Sequence, residues 1–236
     1  PGPRHGVVNI DEGEVGTFKD WLVLSMGAPQ VLEGVLVAAE VVGLDHVWLY
    51  LRDEYHDLRP MLQREIDALA PRLQALRERF PHYRPPRIEL RRGAGAYICG
   101  EESALIESIE GRRGLPRLKP PIVAMNGVFG RPTLAHNLET LWWVPALLAQ
   151  GGAAWAALGR RGRHGLRRFS VSGRVNRPGV HLAPAGITLR ELVDEFAGGM
   201  QAGHELRAYL PGGASGGILP ASLADVPLDF DTLAEH

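Results

Sequence analysis

Residues 91–114 have the sequence RRGAGAYICGEESALIESIEGRRG, and this stretch decides the fold of the first part of the chain. A glycine-spaced turn is followed by apolar residues at helical spacing, Leu105, Ile106 and Ile109. We expect the helix to begin near Gly100 or Glu101, and a glycine ends it. Free N–H groups at a helix start attract anionic oxygen, which favours a nucleotide phosphate as ligand. A turn without a ligand is the equal alternative, because the glycine spacing matches neither common phosphate-binding motif.

Composition limits the class of protein. The chain has 236 residues, 45% of them hydrophobic, which is enough for one large or two smaller domains. It carries 26 Lys+Arg against 27 Asp+Glu and no basic run interleaved with aromatics, so no nucleic-acid surface is predicted. The longest apolar run, 35–42, is interrupted by Glu40, and no transmembrane segment is predicted. The single cysteine, Cys99, excludes a disulfide framework or a four-cysteine iron–sulfur site within these residues and indicates a reducing compartment.

The order of apolar segments predicts a βαβ unit. Residues 6–10 are a short apolar run that predicts a buried strand, 47–51 is a continuous apolar run typical of a parallel strand covered on both faces, and 31–42 is a buried helix between them. An amphipathic helix over 62–80, which Pro71 is expected to kink or split, leads to a strand at 87–90. The acidic loop after the first strand is either solvated or part of a ligand site, since ligands of open α/β sheets bind beyond the carboxyl ends of strands.

The segment after the central helix is irregular. Residues 111–133 are rich in Gly, Pro and basic side chains, and a loop of this length is usually functional or disordered. Its cations either pair with phosphates or are solvated: Arg112, Arg113, Arg117 and Lys119. Residues 136–150 are predicted to be helical, and the glycines at 151–152 mark a boundary.

A different pattern begins near residue 167. FSVSGRV, the turn NRPG and VHLAP predict a β-hairpin, and Thr188 with Glu191 forms a capping box that opens a helix. A further strand over 206–210 completes a small β-grasp-like domain, so we expect domains at 1–160 and 167–236. GASGG at 213–217 matches a hydrolase elbow, but Ser215 is followed by two glycines and no helix, and the nine histidines lack metal-ligand spacing.

Three long stretches carry a family resemblance. NIDEGEVGTFKD, GAGAYICGEESALIESIEGRRGLPRLKPP and GRPTLAHNLETL resemble the flavin-binding 51 kDa subunit of NADH dehydrogenases, a module also found in NAD-reducing hydrogenases and NAD-dependent formate dehydrogenases. PTLAHNLET and the segment from 169 onward are most similar to the formate dehydrogenase β subunit. The resemblance covers about residues 7–230. It implies a partial Rossmann-like α/β FMN-binding domain followed by a small β-grasp domain of the soluble-ligand-binding, ubiquitin-like type.

The resemblance also implies site residues for FMN and NAD(H). The FMN contacts that it implies are Asn9, Asp11, Tyr97, Gly100, Glu101, Glu102 and Asn137. The NADH contacts that it implies are Glu14, Glu102 and Lys119, with Glu102 as the orienting group at the reacting centre. Two positions depart from the family pattern. His136 stands where the family commonly has an asparagine near the flavin phosphate, and Ile122 stands where an aromatic residue often stacks on adenine.

The implied function is hydride transfer between NAD(H) and FMN, with electrons relayed to or from iron–sulfur clusters. The family's first glycine-rich FMN loop is expected before residue 1 and its 4Fe-4S domain after residue 236, so residues 1–236 by themselves are expected to hold FMN weakly. Expected partners are other subunits of a multi-subunit dehydrogenase, including a thioredoxin-like 2Fe-2S subunit. The expected location is cytoplasmic, with peripheral attachment to the inner membrane as a second option. The rival hypothesis is a non-redox scaffold or ligand-binding subunit that retains the fold.

Overall fold

A four-stranded parallel sheet organises the first half of the chain in the computed structural model, which describes residues 2–236. Its strands are β1 His5–Ile10, β2 His46–Leu51, β3 Arg87–Arg92 and β4 Thr133–Asn137, in the order β3-β2-β1-β4. The helices that connect or follow them are α1 Lys19–Val42, α2 Leu58–Arg79, α3 Glu102–Ile109 and α4 Leu138–Gln150. All three strand pairings are parallel, so the four carboxyl ends lie at one edge.

Helices cover both faces of this sheet. Side chains alternate along β1, so Val8 and Ile10 pack with α1 in one buried cluster, whereas Val7 packs with α3 in another. Tyr50, which is fully buried, belongs to the α3 side. The predicted α/β class is confirmed, and the continuous apolar runs of β1 and β2 follow from burial on both faces.

Helices α1 and α4 approach each other closely at one glycine. A Cβ atom on Gly34 would lie 1.9 Å from the carbonyl oxygen of Leu141, well inside van der Waals contact. Leu141 and Leu32 both belong to the buried core cluster on this side of the sheet. The absence of a side chain at Gly34 therefore sets the distance between the two helices.

Three predicted elements differ from the observed ones. α1 begins at Lys19 instead of residue 31 and continues through a non-helical residue, Gly27. α2 was expected to kink or split at Pro71, but it runs without interruption from Leu58 to Arg79. Residues 136 and 137, predicted to start a helix, are the last two residues of β4, which the sequence patterns did not reveal.

Helix α1 has the length and composition of a membrane span. An 18-residue window in it has a mean hydropathy of 1.6, and 44% of that window is buried inside the protein. Val31, Leu32 and Val35 are almost fully buried against the sheet. In this fold the apolar character of α1 is accounted for by packing in the core.

The first unit consists of residues 2–13 and 20–145, and the second of residues 14–19 and 146–236. The second unit contains α5 Gly152–Ala156, the antiparallel hairpin β5 Leu166–Val171 and β6 Gly179–Pro184, and α6 Leu189–Glu191, which continues as a π-helical turn. β7 Ala208–Tyr209, β8 Leu219–Pro220 and α7 Phe230–Leu233 follow. The hairpin and the Thr188–Glu191 capping box are confirmed, and the strand predicted for 206–210 is shorter. The predicted domain limits at 160 and 167 stay a prediction.

Candidate nucleotide site at the carboxyl edge of the sheet

Asparagines end two neighbouring strands at the carboxyl edge. Asn9 on β1 is directly opposite Asn137 on β4, and adjacent strands are about 4.8 Å apart. Paired residues on parallel strands face the same side of the sheet, which here is the side of α3. The Asn137 side chain accepts a hydrogen bond from the N–H of Glu139 at 3.1 Å, at the start of α4. Two amide side chains that can donate and accept therefore lie together at this edge.

Asn9 connects the first loop to the turn before α3. Its amide nitrogen donates to the carbonyl of Gly100 at 2.9 Å, and its amide oxygen accepts from the N–H of Asp11 at 3.0 Å. A Cβ atom on Gly100 would lie 3.0 Å from the carbonyl oxygen of Asp11. The two loops thus lie close together, and a larger residue at 100 would push them apart.

Asp11 is a buried carboxyl group without a protein partner for one of its oxygens. The residue is 8% exposed, and Oδ2 is buried with no hydrogen-bond partner among residues 2–236. Burial raises the pKa of Asp11 to about 6, and the nearby Glu54 carboxylate adds to the shift, while Arg52 opposes it. A buried polar atom of this kind is costly unless something bonds to it, and such atoms mark candidate ligand contacts.

Tyr97 lies over the glycine of the acidic loop. Its ring is so close to Gly13 that a Cβ atom there would be 3.1 Å from the ring carbon Cδ2. The side chain is largely exposed, at 61%, and it opens the short 3-10 turn Tyr97–Gly100. An exposed aromatic ring at the ligand edge of a sheet is a surface on which a planar ligand can pack.

Glu101 caps helix α3. Its carboxylate accepts from the N–H groups of Ser103 and Ala104, each at 2.9 Å, and from the Ser103 hydroxyl at 2.5 Å. Burial by itself would raise the pKa of Glu101, but the hydrogen bonds from Ser103, Ala104 and Lys119 hold that pKa below its usual value. The helix start is thus already satisfied by a protein carboxylate, and the resemblance-based role of Glu101 in FMN binding stays a prediction.

Glu102 and Lys119 form an exposed pair beside this cap. The Lys119 ammonium lies 2.7 Å from Glu102 Oε1 and 3.2 Å from Glu101 Oε1. These hydrogen bonds, that to Glu102 first, raise the pKa of Lys119 above its usual value. The side chains of Glu102 and Lys119 are 40% and 43% exposed, so each can leave this ion pair and bind a ligand instead.

Glu14, Ile122 and His136 are placed differently from the other predicted residues. Glu14 belongs to the second unit, where its carboxylate accepts from the N–H of Ser215 at 3.1 Å and from the Ser215 hydroxyl at 2.6 Å. His136 is exposed and is paired with Val8, so it faces the α1 side of the sheet, opposite to Asn137. Ile122 is 51% exposed on the loop that follows Lys119. The cofactor roles of Glu14 and His136 stay predictions.

Other residues at this edge were not singled out from the sequence. The buried Glu12 accepts from the N–H of Asp20 at 3.1 Å and from the Tyr55 hydroxyl at 2.8 Å, so it holds the start of α1. Arg52, directly after β2, donates to the carbonyl of Glu12 at 2.5 Å. The buried Tyr50 accepts at 2.9 Å from the N–H of Ala94, in the glycine turn. The strand-end rule, which pointed to the acidic loop after β1 as a possible ligand site, applies equally to Arg52 directly after β2.

The donor set fits a flavin nucleotide in part. Amide groups and carboxylates suit ribityl hydroxyls and the imide of a flavin ring, and an ammonium suits a phosphate. The buried Oδ2 of Asp11 is an acceptor that such a hydroxyl or N–H can satisfy. Within residues 2–236, no group of three or more His, Cys, Asp or Glu side chains is placed to hold a metal ion.

Comparison with known proteins also points to an FMN-binding domain. Residues 3–146 match the family model of the Nuo51 FMN-binding domain, and residues 168–219 match the SLBB domain. An NADH-quinone oxidoreductase subunit of Rickettsia typhi is 41% identical over 232 residues, covering 98% of this chain and 55% of the relative. The subunit of the same name in Mycobacterium bovis is 44% identical over 234 residues, covering 97% and 51%. The chain thus spans about half the length of the curated relatives it matches.

A solved structure agrees with this fold. The crystal structure of an NAD+-reducing NiFe hydrogenase in the air-oxidised state superposes with a TM-score of 0.84 at 39% identity, covering 97% of this chain and 38% of that one. The resemblance found in the three sequence stretches is therefore confirmed. With residues 3–146, more than half of its length, matched by one family model and residues 168–219 by a second, this chain belongs to the Nuo51 FMN-binding domain family and carries an SLBB domain after it.

Proposed function

We propose that this chain is the nucleotide-binding part of a flavoprotein subunit that passes a hydride between NAD(H) and FMN. The observation that supports it most is the buried, unpartnered Oδ2 of Asp11 beside the Asn9–Asn137 pair, at the edge where α/β sheets bind ligands. Family membership and the NADH-quinone oxidoreductase relatives point to the same chemistry. In finer terms, the subunit is an NAD(H):FMN oxidoreductase, a diaphorase, of the NADH dehydrogenase or formate dehydrogenase type.

The residues of this edge would bind and orient; they need not move a proton. FMN, when bound, supplies the two-electron acceptor for NADH. Asn9, Asn137 and Asp11 would hold the polar groups of the flavin nucleotide, and Tyr97 would pack against a planar ring. Glu102 and Lys119 would fix the dinucleotide, because a carboxylate accepts from amide or hydroxyl groups and an ammonium attracts phosphate. Positioning of this kind lowers the barrier by holding the reactants in a productive geometry.

We place this chemistry in a larger assembly. A two-electron donor and one-electron clusters must be joined by a flavin, so the proposal requires an iron–sulfur relay in the same protein or in a partner subunit. The relatives are named as subunits of an NADH-quinone oxidoreductase, which supports a multi-subunit dehydrogenase. We propose a cytoplasmic location, with peripheral attachment to the inner membrane as the second option.

The proposal is tested by the spectrum of the purified full-length subunit. We expect one FMN per chain and bleaching of its absorbance by NADH without oxygen. A protein that stays colourless after FMN is added would instead support the non-redox scaffold, in which the fold is kept without flavin chemistry.

The role of Glu102 is tested by Glu102→Gln. We expect the apparent KM for NADH to rise by about tenfold, or about 1.4 kcal/mol, with the flavin content unchanged, because the variant keeps the shape and loses the charge. Glu78→Gln, at the exposed end of α2, is the matched control and should leave KM unchanged. Loss of flavin from Glu102→Gln with normal kinetics in the remaining holoprotein would assign Glu102 to FMN alone.

A further inference from the structure

Arg117 lies in the loop over residues 114–127, which also carries Lys119, and its side chain binds this loop to helix α3. Arg117 Nε lies 2.6 Å from Glu107 Oε1, and its Nη2 lies 3.0 Å from Glu110 Oε1. The side chain of Glu110 is only 4% exposed and that of Glu107 is 15% exposed, so both carboxylates are largely removed from water. The N–H of Arg117 also donates to the Ser103 hydroxyl at 2.8 Å. Side chain and backbone of this residue are therefore both bound to α3.

The same guanidinium holds the far end of the loop. Arg117 Nη1 donates to the carbonyl oxygen of Gly127 at 3.0 Å and of Asn126 at 3.3 Å. Arginine can do this because its planar group presents five donors in a fixed fork. One side chain thus ties residues at both ends of the loop to two carboxylates on the helix.

This anchor determines where Lys119 can reach. Between Arg117 and Lys119 lies Leu118, which is 93% exposed, so this residue packs on almost nothing. Lysine has a long, flexible side chain, and an exposed ion pair holds such a chain only weakly. The 2.7 Å contact between Lys119 and Glu102 therefore depends on the position of the backbone two residues after Arg117.

We propose that Arg117 is a positioning residue for the dinucleotide site: it fixes the 114–127 loop so that Lys119 stands beside Glu101 and Glu102. This inference rests on the proposed function. It replaces the idea that Arg117 binds a phosphate itself, because its guanidinium donors are occupied by Glu107, Glu110 and the loop carbonyls.

Arg112 provides a matched control on the same carboxylates. Its Nη1 lies 3.7 Å from Glu107 and 3.6 Å from Glu110, and the side chain is 67% exposed. It precedes the loop and neutralises the same two charges from the solvent side. Arg112→Met therefore removes a positive charge near Glu107 and Glu110, while Arg117→Met also removes the ties to Asn126 and Gly127.

The test measures the dissociation constant for NAD+ by calorimetry and the KM for NADH, in the purified flavin-loaded protein. We expect Lys119→Met to weaken NAD+ binding about tenfold, Arg117→Met three- to tenfold, and Arg112→Met less than about twofold. Because Arg117 acts through Lys119, the double variant should bind no more than about twofold more weakly than Lys119→Met. Flavin content and kcat should change little in Arg117→Met and Arg112→Met.

Arg117→Lys is a second variant that tests the proposal even where Arg117→Met fails to fold. It keeps a positive charge between Glu107 and Glu110 but cannot also reach the carbonyls of Asn126 and Gly127, so the weaker NAD+ binding should persist at a near-normal melting temperature. Losses that multiply in the double variant, or an Arg117→Met protein that equals Arg112→Met, would overturn the proposal. A wild-type protein that neither binds NAD+ nor bleaches with NADH would instead contradict the proposed function itself.

Discussion

The carboxyl group of Asp11 is buried where a ligand is expected, and this placement has a thermodynamic consequence. Its pKa is raised from 3.8 to about 6 by burial, then by Glu54, against the opposing effect of Arg52. Between these two values the folded protein binds more protons than the unfolded chain, so stability falls as pH rises from about 4 to about 6. Above pH 6 the folded protein carries the full cost of a buried charge.

Asp11→Asn tests this directly, since it removes the charge and keeps the shape. At pH 8 we expect the variant to be more stable than the wild type by about 1–2 kcal/mol, after discounting for partial access of solvent to the carboxyl. At pH 4 the two proteins should have nearly equal free energies of unfolding. Urea denaturation at both pH values measures the difference, and a gap that does not grow with pH would refute the raised pKa.

Helices α1 and α4 depend on the missing side chain of Gly34. Gly34→Ala would place a methyl group 1.9 Å from the carbonyl oxygen of Leu141, so one helix must move. Overpacking in a core typically costs 1–3 kcal/mol, and because the obstacle is backbone we expect about 3 kcal/mol or more. The melting temperature reports the loss. Gly152→Ala, at the start of α5 with no atom within 4 Å of the new methyl group, should leave stability unchanged or raise it slightly.

The elements predicted correctly from the sequence have clear local boundaries. β1 and β2 are short, mainly apolar runs, and α3 carries its own cap and stop. β4 was missed because its last residues run directly into the apolar, helical pattern of α4. Pro71 does not split α2; Pro71 and Asp67, whose carbonyl loses its helical partner, are both exposed, so water can satisfy that group.

The candidate site shows the same division between local and long-range information. The strand-end rule pointed to the acidic loop after β1 as one of two alternatives, and the resemblance of single stretches named Asn9 and Asp11 within it. That Asn9 bonds to Gly100, or Arg117 to Glu107 and Glu110, depends on how distant segments meet. A sequence without its fold contains no marker for such pairings.

The molecule as a whole has separate hydrophobic cores in its two units. The sheet unit has one cluster on each face, built around residues such as Leu49 and Ile106. The unit of residues 14–19 and 146–236 has its own smaller clusters, which include Val193 and Ile187. Because each unit buries its own apolar residues, a local loss of stability in one need not lower the protection of the other.

Substitution of Thr188, in the second unit, tests whether the stabilities of the two units are independent. Its hydroxyl accepts from the N–H of Glu191 at 3.2 Å, and Glu191 accepts from the N–H of Thr188 at 3.0 Å, which completes the capping box of α6. Thr188→Ala removes one of these two hydrogen bonds, the one that the Thr188 hydroxyl accepts. The loss of such a cap costs about 1 kcal/mol. We expect amide hydrogen exchange to become about fivefold faster in the segment that follows β6, because 1.4 kcal/mol corresponds to a factor of ten.

Exchange in β1 and β2 should remain at its wild-type rate in the same sample, and Thr188→Ser, which keeps the accepting oxygen, should restore protection after β6. Faster exchange throughout both units of Thr188→Ala would mean that the two units unfold together as one cooperative body. The stability of the sheet unit would then depend on that of the second unit.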